Sequence, residues 1–119
     1  MHGDARPVPV GQEGAEATVG VGLAGVHVTL EVQNGSTWVR LGTGETDTDG
    51  RQRTLLPDGH RPSVAVHRLT FEVAPHFAKT ATPCFFPTVH ICFAVTAPAE
   101  HHHVPLLISP FGYSTYRGS

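Results

Sequence analysis

The stretch Thr88-Val-His-Ile-Cys-Phe-Ala-Val95 alternates without a break, with Val89, Ile91, Phe93 and Val95 on one parity and His90, Cys92 and Ala94 on the other. Successive side chains of an extended strand point to opposite faces, so this pattern buries one face and leaves the other free. The same period recurs. Val26, Val28, Leu30 and Val32 alternate against His27, Thr29 and Glu31, and Leu69, Phe71 and Val73 share a parity in SVAVHRLTFEV. STWVRLGTGET, HHHVPLLI and GYSTY read as further strands, with turn signals QNGS, DTDGR and LPDGHRP between them. Short alternating strands punctuated this way specify an all-β, two-sheet sandwich. Only APHFAKTA, residues 74–81, offers a short helix.

Residues 1–25 differ in character. They hold six of the thirteen glycines and show no period. We therefore read residues 1–20 as a poorly ordered or degenerate lead-in and 21–119 as the sandwich domain. A chain of 119 residues is one domain with one ordinary core. Eight Lys and Arg against ten Asp and Glu give a formal charge of −2, which argues against nucleic acid or an anionic membrane as partner. No apolar run approaches the roughly 20 residues of a spanning helix, and no secretory signal is visible. Two cysteines, Cys84 and Cys92, lie beside apolar residues. Buried free thiols in a reducing, cytoplasmic setting are expected.

The polar clusters are more specific. Arg51 directly follows the Asp49-Gly50 turn; taken alone it is a solvated turn arginine. The run His101-His102-His103 is unusual. On a strand, His101 and His103 face one way and His102 the other. Pro105 lacks a ladder donor, so this strand is expected at a sheet edge or at a bulge. Three readings compete for the histidines: solvated edge residues, a general base with an imidazole pKa of about 6.5, or metal ligands. The metal reading ranks last, because carboxylate and thiolate partners at ligand spacing are missing. The segment SPFGYSTYRGS sets Phe111, Tyr113 and Tyr116 among small residues and closes on Tyr116-Arg117-Gly118-Ser119, which reads as placed chain and not as a fraying tail.

DTDGR and HHHVPLLISPFGYSTYRGS, with the strand order between them, resemble the transthyretin-related family from about Gly25 to Ser119. The Tyr-Arg-Gly-Ser ending is similar to that of its enzymatic branch, the 5-hydroxyisourate hydrolases. The resemblance implies an eight-stranded transthyretin-like sandwich, a homotetramer built as a dimer of dimers, and clefts floored by a sheet face. It implies hydrolytic opening of a six-membered ring in urate degradation, with a small-molecule substrate and without metal or organic cofactor. Carried over residue by residue, it implies His103, Arg51 and Ser119 as catalytic groups. Arg51, Tyr116, Arg117 and Gly118 are implied as substrate-binding, with Arg117 otherwise orienting the chain end.

One motif departs. The family carries His-Val-Leu-Asp ahead of its Gly-Val-x-Val-x-Leu strand, and an ungapped count places Glu13 where the histidine belongs. His2 is the alternative imidazole in this region, about eleven residues too early. The competing expectation is therefore an impaired or non-enzymatic small-molecule binder on the same fold.

Overall fold

The computed structural model describes residues 17–56 and 61–118. Its strands are β1 (Ala17–Gly20), β2 (His27–Asn34), β3 (Thr37–Glu45), β4 (Arg51–Gln52), β5 (Ala65–Glu72), β6 (Thr88–Val95), β7 (His102–Ser109) and β8 (Gly112–Thr115), with one helix, α1 (Ala74–Ala78). They form two four-stranded sheets, ordered β4-β1-β7-β8 and β3-β2-β5-β6. Every neighbouring pair is antiparallel except β1 and β7, which run parallel.

The alternating residues meet between the sheets. Val28 and Leu30 of β2, Leu69 and Phe71 of β5, and Val89 and Ile91 of β6 face Val19 of β1 and Val104 and Leu106 of β7. Phe71 is fully enclosed. Burying a side chain of that kind stabilises by about 1.5–3 kcal/mol. His90, Cys92 and Ala94 stay on the outer face, as their parity requires. The β2–β3 hairpin closes on Gly35 and Ser36, with Asn34 opposite Thr37. Gly35 has φ of +64°; a positive φ at the first central residue alone is the type II′ geometry whose twist matches the flanking strands.

Three expectations need correction. The lead-in does not extend to residue 20: its last four residues are β1, an interior strand bonded to β4 on one side and β7 on the other. Val19 carries that strand, because one fully buried valine anchors it in the core. Residues 1–16, including His2 and Glu13, lie outside the described residues. Second, β7 is not an edge strand, despite Pro105. Gly20 opposite Pro105 is the last pair of the β1 ladder, and the β8 ladder runs from Leu106 to Ser109. The missing N–H therefore falls at the junction of two ladders. Third, the cysteines are free thiols, but Cys84 is only half-buried and Cys92 is exposed on the outer face of β6.

Candidate functional site

Arg51 is placed by a dense turn. The Asp47 carboxylate accepts from the backbone N–H of Asp49 at 2.9 Å and of Arg51 at 3.0 Å. The Asp47 N–H returns a bond to the Arg51 carbonyl at 2.8 Å. The Arg51 N–H bond holds the Asp47 carboxyl below its ordinary value. Gly50 carries φ of +76°, and a Cβ there would stand 2.7 Å from the backbone of Gly22; only glycine lets the turn lie this close to the chain after β1. Arg51 then pairs with Gly20 on β1.

His103 stands on the next strand but one. Its backbone is in register with Thr18 of β1 and, through an isolated bridge, with Gly118. The parity of β7 divides the histidine run. His102 joins Val104 and Leu106 on the core side and is 5% exposed, while the half-buried His103 joins Pro105 and Leu107 on the outer face. His101 precedes β7 and is half-buried.

On that outer face Arg51, His103 and Tyr116 line one open hollow of about 260 Å³, with Gly20, Pro105 and Leu107 as its floor. A guanidinium, an imidazole and a phenol thus converge from β4, β7 and the segment after β8. Arg117 does not line that hollow. It lines a second one of about 230 Å³ between β6 and the β7–β8 edge, beside Cys92 and His102, and His103 and Tyr116 border both hollows. Its Nη2 donates to the Glu100 carboxylate at 3.3 Å on the open surface. Ser119 lies outside the described residues. Among the described residues no three His, Cys, Asp or Glu side chains come together as a metal ion would need.

Two placements at the site were not read from the sequence, although Gly118 itself was implied as a site residue. Gly20 belongs to the hollow, and the parallel pairing of β1 with β7 brings it there; no local motif signals a parallel contact between residues so distant in sequence. Gly118 lies directly across from His103, donating its N–H to the His103 carbonyl at 2.9 Å.

The transthyretin-like architecture and a hollow on the outer face of one sheet define the class. The chain belongs to the HIUase/transthyretin family, whose model matches residues 15–118. It is 41% identical over 95 residues to a 5-hydroxyisourate hydrolase of Salmonella dublin, covering 80% of this chain and 69% of that one. A 5-hydroxyisourate hydrolase of Caulobacter vibrioides is 42% identical over 100 residues, covering 81% and 85%. The solved 5-hydroxyisourate hydrolase of Klebsiella pneumoniae superposes with a TM-score of 0.72 at 25% identity, covering 90% of this chain and 95% of that one. Transthyretin from Sparus aurata, at TM-score 0.74 and 20% identity over 87% and 94% of the two chains, shares the fold.

Proposed function

We propose that this protein is a 5-hydroxyisourate hydrolase of urate degradation. The observation that carries the reading is the convergence of Arg51, His103 and Tyr116 on one hollow, in a chain whose relatives bear that name.

Hydrolysis of a cyclic amide needs a proton acceptor for water and positive charge where the oxyanion forms. His103, as neutral imidazole, takes a proton from water as its oxygen adds to a ring carbonyl. The Arg51 guanidinium, with its forked donors, holds the substrate and the charge that develops on that oxygen. Collapse of the tetrahedral adduct breaks the ring C–N bond, and the proton held by His103 passes to the departing nitrogen. Tyr116 offers a hydroxyl and a ring face to orient a flat polar substrate. Ser119 completes the set as a hydroxyl for substrate or water. Arg117, paired with Glu100, orients the chain end.

The single-protomer hollow is shallow, a floor without walls. A homotetramer, assembled as a dimer of dimers, supplies them by placing a second copy over this face. Free thiols at Cys84 and Cys92 agree with a reducing, cytoplasmic setting. The test is the decay of 5-hydroxyisourate followed by absorbance with wild type, His103→Ala and Arg51→Lys at equal concentration. Acceleration by wild type that is lost in both variants supports the assignment. A small-molecule binder without turnover is the other outcome, since among the described residues His103 is the one imidazole lining this hollow.

A further inference from the structure

We propose that Gly118 acts on His103 and not on the substrate: its bare Cα is the seat on which the imidazole rests, which makes it the positioning residue for the base. The inference rests on the hydrolase reading for its activity readout and on geometry for everything else.

His103 and Gly118 face each other in an antiparallel bridge with the Gly118 N–H bonded to the His103 carbonyl at 2.9 Å. Directly opposed residues of such a pair project to the same side, so a side chain at 118 would stand beside the imidazole. Here there is no room for one. A Cβ on Gly118 would overlap Nδ1 and would lie 2.8 Å from Cγ and 3.0 Å from Cε1 of His103. The three atoms nearest that Cβ all belong to the ring. Nor does the backbone call for glycine at this position, because Gly118 is not among the glycines with positive φ. Opposite in effect is Gly20, whose Cβ would meet Nε2 at an ordinary 3.6 Å. The imidazole thus lies with its Nδ1 edge seated on Gly118 and its Nε2 nearest Gly20, the residue on the floor of the Arg51 hollow.

The register explains how the chain delivers that glycine. Bonded pairs of an antiparallel ladder recur every second residue. With His103 and Gly118 as one such pair, Pro105 and Tyr116 fall at the next, and proline has no N–H to give there. Tyr116 and Arg117 are freed from the ladder, and the Thr115 hydroxyl donates to the Pro105 carbonyl at 2.6 Å just before the gap. Gly118 re-forms the pairing two residues later, against His103.

A mutant cycle of Gly118→Ala and His103→Ala tests this, with Gly112→Ala as a control whose Cβ meets only Ser109 Oγ at 3.7 Å. The kcat for 5-hydroxyisourate should fall about 10- to 100-fold in Gly118→Ala, the scale of a misplaced catalytic group. KM should stay within about threefold, and Gly112→Ala should match wild type. The His103 imidazole, followed by nitrogen-15 NMR through a pH titration, should shift its midpoint in Gly118→Ala. In the His103→Ala background the added methyl meets no ring, so Gly118→Ala should change neither the residual rate nor the melting temperature. Unchanged kcat in Gly118→Ala would overturn the proposal, as would a loss that persists without the imidazole. Should wild type itself not accelerate the reaction, the hydrolase reading fails, and the titration alone decides: a moved midpoint supports the seat and an unmoved one refutes it.

Discussion

His102 and His103 are adjacent in the chain and occupy different media. One points between the sheets and the other into the hollow. Replacing His103 by alanine should lower turnover at least ~100-fold, the ordinary contribution of a general base. The companion change His102→Ala should leave the rate within a few-fold, and equal losses would show that the two faces have been interchanged. Arg51→Lys keeps the charge and loses the fork, so turnover should fall by about 10²-fold, with melting unchanged. Parity makes this division legible in the sequence, because period 2 is a property of extended backbone. What parity does not contain is the partner strand. Thr18 and Gly20 neighbour His103 and Arg51 only through β1, whose pattern of one valine among small residues is too sparse to read as a strand.

Between the two sheets lies a pair of imidazoles with unmet nitrogens. His67 on β5 is fully buried; its Nδ1–H donates to the Ala65 carbonyl at 3.1 Å, which leaves the Nε2 lone pair without a partner among the described residues. Phe93 stacks on its ring at 5.7 Å. His102 on β7 likewise leaves Nδ1 unmet. Burial lowers both pKa values below the ordinary 6.5, and for His102 the Arg117 charge adds to it while Glu100 opposes. The unfolded chain therefore takes up protons at a higher pH than the folded one. Stability is full above about pH 6.5 and declines as pH falls from there toward the folded values. Melting temperature recorded from pH 8 to 5 should drop below pH 6.5. His102→Leu, which removes an unpaired buried nitrogen, should flatten that slope and raise stability by about 1 kcal/mol near pH 6; a slope unchanged in His102→Leu would place the sensitivity elsewhere. Pro105 is the element-scale feature on which the sequence misleads. The rule that proline marks an edge fails here because the missing donor falls where one ladder ends and the next begins. The chain end follows from the same register. Deleting residues 116–119 removes the ring of Tyr116 and the bridge at Gly118 but none of the core. Turnover should vanish while the melting temperature falls only modestly, the lost apolar area being worth on the order of 2 kcal/mol. A truncated protein that hydrolyses at the full-length rate would exclude the terminal motif from the chemistry.

At the scale of the molecule the sandwich leaves large side chains uncovered on the β7–β8 face. Leu107 is 58% exposed, Tyr116, which lines the same hollow, 56%, and Phe111 in the β7–β8 turn 67%. Exposed apolar surface gathered in this way ordinarily marks an interface. A homotetramer with two-fold symmetry, closing one hollow against another, is the expected arrangement. Light scattering at micromolar concentration should return four times the chain mass of 12.7 kDa, and a stable monomer would contradict it. As proposed, this chain opens the 5-hydroxyisourate ring with one imidazole and one guanidinium on a sheet face. The most direct measurement of that activity is the initial rate of absorbance loss from freshly generated 5-hydroxyisourate, with and without micromolar wild-type protein, in the same buffer at pH 7.5. The rate should rise in proportion to protein concentration above the spontaneous decay. A decay indistinguishable from the protein-free sample at every concentration would contradict it.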